Sequence, residues 1–443
     1  MSHQSLALAD ASPAQAAPPH APPLPRRLDA HGDTRVDSYF WLRDRDNPDV
    51  IAHLEAENAW TEAEMRHTEP LQERLYQEML GRILETDLSV PERVDDWWYY
   101  ARTEAGKQYP IHCRRHLTLD APEQVLLDQN QLAEGRAYFR LGAYRPSPDH
   151  RFLAYSTDSE GDERYTLVVK DLATGALLPE RIDDSTYGVE WSNDGTTLFY
   201  VTLDHASRPW RLHRHLMGGS VSHDQLVHQE DDGTFILSLV KTRSRRFLLV
   251  EVASHSSSEV RVLDADRPRD PPRLLARRES NVEYAVEHHG ERFFIVTNDG
   301  AVNFRLVEAP VSGSGKECWR TVVPHRESVK LDGVDAFRNH LVLYEREEAT
   351  PHLRIRDLRT GEEHRVAYPE AVYSVHPARN PAFEATVVRF IYTSLVTPTS
   401  VIDYGLDDRS WTLKKRQPVL GGYGHFGWPR VARLDRGAAR RLS

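Results

Sequence analysis

A hydrolytic serine must be made nucleophilic. The common sequence device for this is G-x-S-x-G, a strained strand-to-helix elbow followed later in the chain by an acid and a histidine. No such elbow occurs in the 443 residues. The nearest strings, GGSVS at 218–222 and SGSGK at 312–316, each lack one glycine and fall between strand-like runs. A serine outside such a setting has no activated hydroxyl, so the sequence assigns no catalytic residue.

Other chemistries are weaker still. The string GYGHFG at 422–427 satisfies G-x-G-x-x-G, but the chain supplies no following helix, second strand and acid as dinucleotide binding requires. His213 and His215 alternate along one strand and His288-His289 are adjacent. Neither pair has a third ligand at suitable spacing, so all four read as surface imidazoles and no metal or cofactor is expected. Cys113 and Cys318 are far apart and form no CxxC, which excludes a disulfide scaffold or zinc site and fits a reducing, cytoplasmic setting. The acidic runs DSEGDERY (158–165) and HQEDDG (228–233) lie between strands and read as solvated turns.

The elements that would position any site follow from patterning. Hydrophobic content of 40% supports a sizeable core, and a net charge of −11 with both signs interspersed argues against general nucleic-acid binding. No apolar run approaches the about 18 residues that span a bilayer, and residues 1–27 read as a disordered Pro/Ala tail. Asn47 followed by Pro48 marks a helix start, and Val50, Ile51, Leu54 and Trp60 continue it. A second helix follows Pro70, with Leu71, Leu75 and Met79 on one face. Tyr39, Phe40 and Trp41, crowded ahead of both, read as core.

From about residue 90 the chain repeats. Apolar four-residue strand cores begin at Trp97–Tyr100 and then end at Tyr155, Val201, Val250, Val296, Tyr344 and Tyr392, the last six lying 46 to 49 residues apart. Each is followed, after a polar turn, by a second strand such as YTLVVKDL or LRIRDLRT. A period in the high forties with about four short strands per unit is the size of a propeller blade. The expected fold is all-β: a seven-bladed β-propeller over residues 86–420 with an amino-terminal helical arm over 28–85.

Several strings carry a resemblance: YFWLRDRDNPDVIAHLEAENAW, YAVEHHGERFFIVTNDGAVNFRL, LRIRDLRTGEEH, and RFIYTSLVTPTSVIDY with LKKRQPVLGGY after it. They are similar to the amino-terminal part of oligopeptidase B in the prolyl oligopeptidase family of serine peptidases, from about residue 25 to Tyr423. Gly405 departs from the pattern, since relatives usually carry an acid after the Asp-Tyr pair; a turn is the expected consequence.

The resemblance implies a propeller capping an α/β-hydrolase domain that cleaves short peptides after Arg or Lys, with the helical arm packing on the hydrolase. That domain should follow VLGGY, yet 20 residues remain after Tyr423, against the order of 200 that such a domain takes. The sequence therefore reads as truncated before its catalytic domain and inactive alone. Residues 421–443, rich in Arg430, Arg433, Arg436, Arg440 and Arg441, read as an aberrant, disordered tail; a basic tail binding nucleic acid or acidic membrane is the alternative reading.

For an enzyme of basic peptides, Asp162 and Glu163 are the candidates for substrate gating by Coulomb steering. The expected partners are short basic peptides, with no nucleic acid and no membrane, and association through the arm's exposed apolar faces. The other functional reading is a stand-alone propeller that binds a protein or peptide.

Overall fold

The computed structural model describes residues 17–420; the reading of residues 421–443, and of the first sixteen, lies outside them. The chain divides into two compact units at Ile83/Leu84.

In the first unit Arg26–Ala30 pairs with Asp33–Asp37 around a His31-Gly32 turn, so the chain is already a strand at Arg26 and Arg27. Helix α1 (Pro48–Met65) starts where Asn47 accepts a hydrogen bond from the Asp49 N–H at 2.9 Å, a cap worth about 1 kcal/mol. Helix α2 (Glu69–Leu80) carries Leu71, Leu75 and Met79 at 45–58% exposure, and Leu54 on α1 is 51% exposed. The expectation that Tyr39, Phe40 and Trp41 form core is corrected. None is buried: Phe40 is sandwiched by the Arg26 and Arg43 guanidiniums at 4.2 and 4.7 Å, and the Trp41 indole donates to the Pro22 carbonyl.

The second unit is built of antiparallel meanders. Five are separate four-stranded blades: the first over residues 92–128, the second 236–276, the third 284–323, the fourth 329–365 and the fifth 373–416. Between the first and second blades, residues 140–229 form a single seven-stranded sheet. The expectation of seven separate blades is thereby corrected. The fifteen-residue strand Leu177–Trp191 pairs through Leu177–Ser185 with Tyr165–Asp171, and through Ser185–Trp191 with Thr197–Leu203. Register breaks on either side of Ser185 let one strand serve both neighbours.

The apolar tetrads lie on the second strand of each four-stranded blade and on the second and fifth strands of the long sheet, and most of their residues are buried because both faces meet another sheet. Core clusters span consecutive sheets. Phe199 and Leu212 of the long sheet pack with Leu237 and Leu248 of the second blade, and Phe247 and Val262 pack with Phe293 and Val307 of the third. Phe293 and Phe294 are fully buried, each worth about 1.5–3 kcal/mol by transfer. The fifth blade meets the first through polar ties. Arg389 donates to the Pro91 carbonyl at 2.9 Å, and Lys415 lies 2.5 Å from Asp87. Gly405 closes the strand Ser400–Gly405. A Cβ there would overlap the Asp408 carboxylate, which caps the turn by accepting from the Ser410 N–H and hydroxyl.

Candidate functional site

The first strand of each meander faces a shared centre. There, residues from all six sheets line one cavity of about 710 Å³. The local sequence explains the lining. Val189-Glu190, Val240-Lys241, Val286-Glu287 and Val334-Asp335 each place an apolar residue and then a charged one in the last few residues of the strand that precedes an apolar tetrad. Each charged residue stands in the same register, opposite Phe199, Leu248, Phe294 or Val342. Pleating sends successive side chains to opposite faces, so each charged group lines the cavity while Val189, Val286 and Val334 do not; Val240 also borders it.

The turn after Ile236–Lys241 reaches across this centre. Arg243 donates to the Asn380 carbonyl at 2.7 Å, pairs with Asp335 at 2.8 Å and approaches Glu287 at 3.8 Å, its guanidinium 4.8 Å from the Phe337 ring centre. Two residues on, Arg245 pairs with Asp95 of the first blade at 2.8 Å, and His150 of the long sheet meets the same carboxylate at 3.0 Å. One turn of the second blade thus touches the first, third, fourth and fifth. Arg145 pairs with Glu190 at 3.1 Å, and the Lys241 ammonium donates to the Trp191 carbonyl at 2.9 Å.

Burial sets the proton affinities. Desolvation pushes the Glu287 carboxyl up to about 7 against the pull of Arg243, and pushes Glu190 up against Arg145. Desolvation also brings Lys241 down to about 8, opposed by Glu190. Arg243 is raised, because Asp335 and Glu287 outweigh its own desolvation.

Asp162 and Glu163 lie elsewhere, in the exposed turn between Phe152–Asp158 and Tyr165–Asp171. Glu163 has φ 63 and accepts from Arg140 at 3.1 Å, while Asp162 accepts from the Arg164 N–H. Neither lines the central cavity, whose walls come from the opposite ends of the strands. The corresponding turn of the first blade follows Arg102, and Asp87, just inside the unit's entry, accepts there from the Thr103 N–H and is bonded by Lys415 of the last strand. A second cavity, of about 530 Å³, also opens at the second-to-third-strand turn of the fourth blade. Among its lining residues are Glu347, Glu348, Glu370, Tyr368 and Tyr373.

The histidine expectation is corrected. His215 is fully buried with Nδ1 2.7 Å from Asp224, and His288 is buried with Nδ1 2.7 Å from the Ser244 hydroxyl; burial lowers His288 to about 4. His213 stacks on Tyr200 at 5.2 Å, and His289 meets the Arg338 carbonyl. His340, Asp357 and Asp407 come close enough together to suit a cation, but the Arg359 guanidinium already binds both carboxylates and holds Asp357 below the usual range. Among the described residues, the sequence reading missed the charged ring of the cavity. Its signal was present as the Val-charged dipeptide recurring ahead of successive tetrads.

Residues 22–417 match the family model described as the prolyl oligopeptidase N-terminal beta-propeller domain. The chain is 38% identical to dipeptidyl aminopeptidase BI of Pseudoxanthomonas mexicana, covering 94% of this chain and 60% of that protein. It is 35% identical to protease 2 of Moraxella lacunata, covering 91% and 59%. Among solved structures, oligopeptidase B from Leishmania major superposes with a TM-score of 0.87 at 29% identity, over 92% of this chain and 62% of that one. Oligopeptidase B from Trypanosoma brucei, solved with covalently bound antipain, gives 0.86 at 27%, over 92% and 61%. The chain thus spans about 60% of the length of these relatives. It belongs to the prolyl oligopeptidase family, of which it carries the N-terminal propeller.

Proposed function

We propose that this chain is the substrate-filtering propeller of an oligopeptidase B-like serine peptidase, cytoplasmic, that hydrolyses short peptides after Arg or Lys. The observation that carries the reading is the match of residues 22–417 to the family's N-terminal propeller domain. In this reading the long sheet counts as two blades, giving a ring of seven. A core cluster with Ala154, Val169, Val189 and Leu198 lies between its halves and supports the count. The exposed faces of α1 and α2 would be covered by a hydrolase domain, or by a second copy where that domain is absent. Asp162 and Glu163, at the strand ends where the chain enters and leaves the propeller, would draw basic peptides in. Among the described residues no helix is long and apolar enough to cross a membrane, and neither membrane nor nucleic acid has a place in the reading.

The chain itself has no nucleophile elbow, so it should not turn over substrate. Purified protein is expected neither to release chromophore from Arg- or Lys-terminated chromogenic peptides nor to take up a serine-directed organophosphonate. Stoichiometric labelling of any serine would overturn this.

A further inference from the structure

The central cavity carries a local charge opposite to that of the chain. Five cationic side chains line it, Arg145, Lys241, Arg243, Arg245 and Arg379, against four carboxylates, in a protein of net charge −11. Most of the cations are spoken for. Arg145 is held by Glu190, Arg243 by Asp335, Arg245 by Asp95, and Arg379 turns to Glu92 at 3.3 Å. Lys241 is different. Among the described residues no carboxylate lies within 4.0 Å of its ammonium, which has three N–H groups and spends one of them on the Trp191 carbonyl at 2.9 Å. A half-buried ammonium so placed has lost much of its water, while the carboxylates that act on it, Glu190, Asp266 and Asp194, stay beyond ion-pair distance, and an arriving anion supplies a direct counter-charge.

We propose that this cavity is an oxyanion site centred on Lys241, and that its occupant is the terminal carboxylate of a short peptide. The cavity volume is that of a small-ligand pocket. Its walls supply Tyr144, Pro146 and Pro148, rings that suit the side chains of a peptide end rather than a bare ion. The neighbouring charges act in both directions. Lys241 interacts electrostatically with Glu190, which opposes an incoming anion, and with Arg245, a second cation lining the same cavity. Burial raises the proton affinity of Glu190, and that of Glu287 to about 7, which reduces the negative charge that Glu287 sets against a ligand near pH 7. The proposal stands apart from the peptidase reading, because binding here is measured on this chain without turnover.

The test is calorimetric titration of the 443-residue protein with three probes: an uncharged tetrapeptide acetylated at its amino end and bearing a free carboxylate, the same peptide as its C-terminal amide, and inorganic phosphate. The acid is expected to bind at least tenfold more tightly than the amide. Lys241→Gln should remove that preference, and Lys241→Arg should retain most of it. Equal binding of acid and amide by the unaltered protein overturns the proposal whatever the variants do, as does a preference that survives in a folded Lys241→Gln protein. Phosphate binding at least as tightly as the peptide acid at the same site would overturn the peptide assignment.

Discussion

The two ends of the strands use the same residue types for different work. At the central cavity, Arg243 is largely buried, and with Arg245 it ties one turn to four other blades. At the other end, Glu163 with Arg140 and Arg164 with Asp184 are pairs within the long sheet, with much of each carboxylate in water. Exposed pairs contribute about 0–1 kcal/mol, whereas removing one partner of a buried pair strands a charge. Position, and not the number of ion pairs, separates a structural tie from a solvated rim.

Arg243→Ala is the most direct way to break the contrast. It leaves Asp335 and Glu287 without their cation and should cost about 3–5 kcal/mol, seen as a large fall in the denaturation midpoint. A loss no greater than that of a surface arginine would show that the bridge carries no load.

Glu287→Gln sharpens the comparison through pH. A carboxyl in the unfolded chain titrates near about 4.3, while the folded one holds its proton up to about 7. Between those values the folded state binds more protons, so this group's contribution is complete below the unfolded value and is lost as pH rises through 7. The substitution should therefore stabilise the protein at pH 8 by on the order of 1–3 kcal/mol and do little at pH 4. Equal shifts at both pH values would remove the titration argument. The smallest effect belongs to Asp162→Asn with Glu163→Gln. Stability should stay within about 0.5 kcal/mol, and association of an Arg-rich peptide should slow two- to threefold at low salt and not at high salt.

The middle strands of each meander were legible because both faces are buried, which leaves uninterrupted apolar runs such as Leu198–Val201. The outer strands were not. Glu363–Arg365 is three polar residues long, and Gln225–Gln229 has Leu226-Val227 as its whole apolar content with no buried residue, so neither stands out from a loop. The long strand was hidden by Asp183-Asp184-Ser185, a turn-like string that continues as strand because the Ser185 hydroxyl donates to the Tyr165 carbonyl where the register breaks. His215 and His288 were misread because their partners, Asp224 and Ser244, are set by pairing and turn geometry that spacing does not reveal. The candidate site was least legible. A charged residue at the end of an apolar strand looks like a surface residue until several such strands converge.

Leu177–Trp191 has a mechanical consequence. Sheets joined by loops behave as plates on hinges, each free to tilt at its joint. A strand belonging to two plates turns one joint into a stiff spring, because tilting there must strain paired backbone rather than a loop. Compliance must then concentrate at the other joints, above all at the meeting of the first and fifth blades, which no loop links and which polar ties such as Lys415 with Asp87 and Arg389 with Pro91 hold.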